Sequence, residues 1–465
     1  MAIKINVQTQ RAVPFKNDEA LTLVVLKNAV PALTARGEVI RIDAYDWTTF
    51  EAAFDNPVLP ADDDQWVDPV AELLFTATSG AWDAGVAIDA VSAIAPSGVS
   101  VIGDTHYNTA NNTLYTATDT AWTADTVVLT PYDPFVAAAK ELYALEYLLS
   151  AGVSVLAYPV VSLGTFSATD AGNVDDIDIL QYRMICMPYA YIEAGNLEDA
   201  MTVIIAGTGG DVGLDAQLFL DLAPDTDSSS IPAVTNSSPK IELFINAGYL
   251  EFAPRFTSAL VTTEGSINFE GIPASLAALA KKAELLRTSS PWLPVAGERN
   301  GKVTEFLSLS RNLSTVEKEL FQAANINVLV SRVGIGPLFV SQNTQYSGEG
   351  TLERSHVTTT ALVIKRFLYQ VALSTEHLPN NQKTWTSVTM KLRSFLQNML
   401  ESEGITSFQV ACGEGLTMTE QDVIDGILKV SVNFMPISVV ENITFNVVIR
   451  ETNSQFDVQT SGGVL

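Results

Sequence analysis

Residues 134–161 read PFVAAAKELYALEYLLSAGVSVLAYPVV, a helix that hands over directly to a strand. Pro134 suits a first helical turn, where its missing N–H is not needed. Ala138, Leu142, Leu145, Leu148 and Leu149 recur at helical spacing and form one apolar stripe. Gly152 stands where a left-handed C-cap belongs. Val153 to Val161 follows as a strand. Helix and strand in direct alternation argue for layered α/β architecture.

The same alternation extends to both sides. Upstream, Ala20 to Leu26 and Val39 to Ile42 read as strands, the latter behind Gly37. Trp47 to Phe54 reads as a short helix with Phe50 and Phe54 on one face. At the extreme N-terminus Ile3, Ile5 and Val7 alternate with Lys4, Asn6 and Gln8, the pattern of a half-buried strand. Downstream, 177–187 and 200–206 are apolar strand candidates, and 211–240 is loop-like with a serine tract at Ser228 to Ser230. Pro273 to Leu286 is helical. Ser314-Thr315-Val316-Glu317 is a capping box that opens a helix to about Ala324. Ile326 to Val330 is a strand, and Gly334 to Pro337 a turn before Leu338 to Val340. Thr358 to Leu373 and Trp385 to Leu400 are long helices. On the second, Val388, Leu392, Phe395, Leu396 and Met399 share a face, with Lys383 and Arg393 opposite. Leu428, Val430, Val432 and Phe434 alternate with polar residues, as do Ile443, Phe445, Val447 and Ile449 after Pro436; these predict a two-stranded antiparallel unit. The tail from Glu451 is mostly polar, but Phe456 and Val458 keep period two, so it is expected to order on a partner.

The fold class expected is α+β, mixed α/β and multidomain. A layered sheet-and-helix core carries a β-rich surface insertion and extended terminal strand arms. The boundaries read as an arm at 1–19, an α/β region at 20–55 and 131–290, a β-rich insertion at 56–130, a C-terminal domain at 291–450, and a second arm at 451–465. The insertion has no Lys or Arg, and Asn111-Asn112 marks a turn between two β-prone stretches.

Composition narrows the function. The chain has 465 residues and a net charge of −27, which argues against a nucleic-acid partner. The charge is uneven: residues 299–400 carry eleven Lys and Arg against six Glu and no Asp. A basic segment in an acidic chain is either a surface for an acidic partner or an ordinary solvated face. Cys186 and Cys412 lie far apart in apolar contexts and read as buried free thiols, and His106, His356 and His377 lack ligand spacing. No apolar run of spanning length exists, so no membrane insertion is expected. The strand-to-glycine run at 203–213 lacks the third glycine of a dinucleotide turn, since Val212 stands there. Asp62-Asp63-Asp64 and Asp175-Asp176 with Asp178 lack a calcium-loop spacing and read as solvated acids. No catalytic, cofactor or metal residue is assigned.

About 160 C-terminal residues resemble the contractile tail sheath proteins of myophages and of contractile bacteriocins. The features fall in the family's order. Ser290-Pro291-Trp292-Leu293-Pro294 is similar to its turn before the C-terminal domain. Asn325-Ile326-Asn327 resembles its Gly-Ile-Asn strand, with Asn at a position where left-handed backbone is tolerated. Pro379-Asn380 followed by Thr384-Trp385 resembles its Pro-Asn…Thr-Trp stretch. Val340-Ser341 departs from the family's usual Trp-Gly, and residues 56–130 lie outside the likeness.

The resemblance implies a non-enzymatic subunit, without cofactor, of a virion tail assembled in the host cytoplasm. Its subunits polymerise helically, as stacked rings, around a tail tube, and contract to drive the tube through the host envelope. Baseplate and tail terminator proteins are the other implied partners. Strand exchange between neighbours falls to Ile3, Ile5, Val7, Phe456 and Val458, and tube contact to Lys383, Lys391 or Arg393. The alternatives are a non-contractile virion shell or baseplate protein, or an α/β enzyme.

Overall fold

Six parallel strands form the centre of the fold, and each is an apolar run. In spatial order they are Ile326–Arg332, Ile241–Ile245, Gln217–Asp221, Met184–Tyr191, Thr22–Leu26 and Val155–Pro159. Gly336–Phe339 and Ile40–Ile42 close the two edges antiparallel. A parallel sheet is covered on both faces, so its strands lack polar alternation. The computed structural model describes residues 21–29, 37–54, 65–68, 73–78, 81–82, 86–92, 101–102, 104–108, 113–118, 121–124, 134–161, 166–177, 183–191, 216–231, 238–250, 271–287, 291–346 and 350–439.

Strand parity assigns the layers. Leu23, Leu156, Ile185, Leu218, Leu220 and Leu243 join one buried cluster with Val174 and Phe321. These last two come from the helices Ala168–Asp176 and Thr315–Ala323. On the other face the helices Pro134–Ser150 and Ala274–Arg287 pack against the sheet. Both ends of the helix Pro134–Ser150 are anchored. Gly152 has φ +80°, and Gly152 and Val153 donate to the carbonyls of Leu149 and Leu148, closing the C-terminus. Within the helix, buried Glu141 accepts N–H bonds from Lys27, Asn28 and Ala29 at 2.9, 3.0 and 2.8 Å, which terminates the strand Thr22–Leu26. Burial pushes the Glu141 carboxyl up to about 7, against the pull of those donors.

The expected capping box is present: Ser314 and Glu317 satisfy each other's backbone N–H groups, and the helix runs Thr315–Ala323. Asn325 takes left-handed backbone with φ +59° and turns the chain into the strand Ile326–Arg332. In the insertion, Thr105–Asn108 and Thr113–Thr118 pair antiparallel on either side of Asn111-Asn112. Ile88, Tyr107 and Leu114 form a small core of their own there.

Two expectations are corrected. Residues 211–240 are not wholly loop: Gln217–Asp221 is a buried central strand, and its parallel partner Ile241–Ile245 follows. Burial on both faces removes the alternation that marks a strand in sequence. The strand expected at 177–187 is Met184–Tyr191, because Ser167 caps a separate helix that reaches Asp176. Among the described residues, Val430–Pro436 pairs antiparallel with Ile405–Cys412. Residues 443–449, with 200–206 and the glycine run at 207–213, lie outside the described residues. The chain divides into two compact units between Leu362 and Val363. Ile326–Arg332 lies in the first unit, where it continues the large sheet.

Candidate assembly surfaces

The second unit, described from Val363 to Val439, is built on an amphipathic helix and a hairpin. Asn381 caps the helix Gln382–Glu401 by accepting from the N–H groups of Lys383 and Thr384 at 3.1 and 3.2 Å. Trp385 Nε1 donates to Asn380 Oδ1 at 2.7 Å, so Pro379-Asn380 and Trp385 form one local lock. The inward stripe is as expected: Val388, Leu392, Leu396 and Met399 are buried. Phe395 is half-buried and stacks on Phe367 with centroids 3.9 Å apart. The helix ends on Glu403, which takes left-handed backbone with φ +59°, while Gly404 donates to the Met399 carbonyl at 2.8 Å.

Lys383, Lys391 and Arg393 are all exposed. From Gln382 to Leu400 this helix carries these three cations and no carboxylate. Lys391 Nζ donates to Ser374 Oγ at 3.2 Å. The structure therefore brings the expected basic residues onto one element, all in solvent. Ile3, Ile5, Val7, Phe456 and Val458 lie outside the described residues. Among the described residues, Ile405–Cys412 and Val430–Pro436 pair only with each other. Each strand then has one edge with no described partner, the geometry that takes an added strand. Exposed apolar side chains accompany it: Leu378, Met390, Leu416, Ile424 and Met435. Of these, Leu416 and Ile424 carried no signal in sequence, since neither belongs to a periodic run.

Among the described residues the first unit offers no comparable surface cluster. Its buried charged groups Asp221, Glu242 and Lys282 are paired. Asp221 accepts from the Ser275 N–H at 2.8 Å and from the Ser275 hydroxyl, and burial pushes its carboxyl up to about 7. Lys282 Nζ reaches Glu242 Oε1 at 3.2 Å and the Ser355 hydroxyl, and Ser355 Oγ donates to the same Glu242 oxygen at 2.5 Å. Among the described residues no three His, Cys, Asp or Glu side chains converge as a metal site. No described helix is long and apolar enough to cross a membrane.

Three solved structures match this arrangement over nearly the whole chain. A chain of the anti-feeding prophage baseplate, six-fold symmetrised, aligns with TM-score 0.58 and 13% identity, covering 97% of this chain and 98% of its own. The anti-feeding prophage helical sheath in its contracted state aligns at 0.57 with 12% identity, covering 97% and 98%. The sheath complex of the extracellular contractile injection system PVC, also contracted, aligns at 0.56 with 13% identity, covering 97% and 99%. The fold is that of contractile-sheath proteins. No protein-family model matches the chain, and no curated protein matches it.

Proposed function

We propose that this chain is the subunit of a contractile tail sheath. It polymerises helically around an inner tube and shortens to drive that tube through a host envelope. The observation that carries the reading is the match, over 97% of the chain, to a helical sheath in its contracted state. The particle in this reading is a virion tail assembled in the host cytoplasm, with tube, baseplate and terminator proteins as partners. No catalytic step or cofactor enters. The extended polymer is a trapped state, and triggering moves subunits as largely rigid bodies into a lower-energy packing. Electron microscopy of the purified chain at rising concentration, with and without its native tube, tests it. Wide hollow tubes with a helical repeat are expected; compact particles throughout, even with the tube present, would overturn it.

The linkage between subunits falls to the terminal arms. Ile3, Ile5 and Val7 at one end, and Phe456 and Val458 at the other, have the alternation needed to add a strand to a neighbour's sheet. A head-to-tail contact of this kind does not close and yields a helical polymer. Deleting residues 1–10 or 452–465 is expected to leave monomers in sedimentation velocity; unchanged tubes would refute the exchange.

Contact with the tube falls to the cationic helix. Reversing Lys383 and Arg393 to Glu replaces two exposed cations without touching the buried stripe. Binding to tubes in cosedimentation is expected to fall at least tenfold, with unchanged circular dichroism. Since exposed charge pairs are screened, the wild-type interaction should weaken as salt rises above about 0.15 M. Undiminished binding by the double variant would end this assignment.

A second reading has its own support, because a baseplate chain is among the matches. A baseplate subunit forms a ring of fixed size and does not change length. Imaging particles before and after triggering separates the two.

A further inference from the structure

A groove of about 400 Å³ runs beside the cationic helix, within the second unit. Trp385, Thr389, Met390 and Arg393 line it from the helix Gln382–Glu401, and Cys412 and Leu416 from the end of the strand Ile405–Cys412 and the loop after it. Met390 is 66% exposed and Leu416 77%, so two large aliphatic side chains stand in water across one opening. Single exposed aliphatics are ordinary; two facing a shared concavity that also holds a tryptophan are the makings of a contact pocket. The Trp385 indole N–H is already satisfied by Asn380, which leaves the ring as apolar lining. Charge sets the second requirement. The helix side of the groove bears Arg393, with Lys383 and Lys391 on the same helix, and the one carboxylate on the lining is Glu414.

We infer that this groove receives one bulky apolar side chain from an acidic protein surface, that of the tube subunit. The inference rests on the tube-facing reading of the helix and adds the apolar anchor that the cations alone do not supply. Exposed charges steer and orient an encounter, whereas a desolvated apolar plug slows its dissociation. A sheath held by both binds its tube in register and keeps the apolar part of its hold as salt weakens the rest.

Cys412 provides a test in the unmodified chain. It is half-buried in the groove, whereas Cys186 is fully buried and silent. The rate of labelling by a small methanethiosulfonate is measured for the free chain, for tube-free polymers, and for sheath assembled on its tube. A slowing of at least tenfold is expected only on the tube. An unchanged rate on the tube overturns the inference, and so does equal slowing in tube-free polymers, which would assign the groove to a second copy. Partner chemistry is read with Leu416→p-benzoylphenylalanine in the assembled particle. Capture of a tube peptide with carboxylates flanking an apolar residue is expected. Capture on this chain, or on a peptide without carboxylates, overturns it. Lys383→p-benzoylphenylalanine separates the two levels: tube capture from 383 but not from 416 removes the groove and keeps the tube-facing helix, while capture from neither removes both.

Discussion

Lys282→Ala is expected to destabilise the first unit by about 3–5 kcal/mol, seen as a lower urea midpoint in far-ultraviolet circular dichroism. Both side chains of the Lys282–Glu242 pair are only 4% exposed. Glu242 also accepts from Gln217 Nε2 at 3.1 Å, and Gln217 Oε1 in turn accepts from Thr359 at 3.0 Å. The network therefore ties two central strands, the helix Ala274–Arg287, and the start of the helix Ser355–Leu373. Burial drives the Lys282 ammonium toward its neutral form, and Glu242 is the group that opposes this. Removing the lysine strands a carboxylate in the sheet–helix interface, where desolvation is costly. The control is Lys282→Met with Glu242→Gln, which removes both charges and keeps hydrogen-bonding capacity toward Gln217 and Ser355. That double variant is expected to recover more than half of the loss. A single-variant cost below about 1 kcal/mol would show that the pair is open to water and carries no such penalty.

Gly248→Ala is expected to cost at least about 3 kcal/mol, beyond the usual penalty for one added methyl. Gly248 sits in the middle of a three-stranded sheet, opposite Ile272 and Leu309. A Cβ built there would collide with the ring of Phe306. Phe306 is itself buried and packs beside Tyr147, with ring centroids 6.1 Å apart, so it has no free space to enter. The glycine lets the ring lie over bare backbone, a recurring way to fill the gap that a strand glycine leaves. Phe306→Leu in the Gly248→Ala background is expected to return part of the stability. Gly172→Ala provides the contrast: nothing lies within 4 Å of its Cβ position, and alanine is favoured in a helix. Equal cost at positions 172 and 248 would refute the steric account.

Neither residue announced itself in the sequence. Lys282 lies in an Ala-rich helical run where a lysine reads as solvated. Its burial is set by a glutamate 40 positions earlier and a serine 73 positions later. Gly248 stands outside any turn signal. The groove is similar: Trp385 and Arg393 lie on a helix legible from its stripe and cap, but Leu416 reaches it from a loop after the next strand. By contrast, the Ser314–Glu317 box, Gly152 and left-handed Asn325 were all legible, because each is settled by groups within about one helical turn.

Sequence alone determined the helices with caps or stripes, the strands that follow them, the β-rich character of 56–130, and a likeness to contractile sheaths. These depend on local periodicity and on backbone groups a few residues apart. Tertiary structure alone decided that Gln217–Asp221 is a central strand, that Val430–Pro436 pairs with Ile405–Cys412, and that the compact units part at Leu362. Strand partners and buried charge pairs are fixed by contacts between distant segments. A strand covered on both faces, or a lysine with a remote carboxylate, therefore carries no local mark of where it will lie.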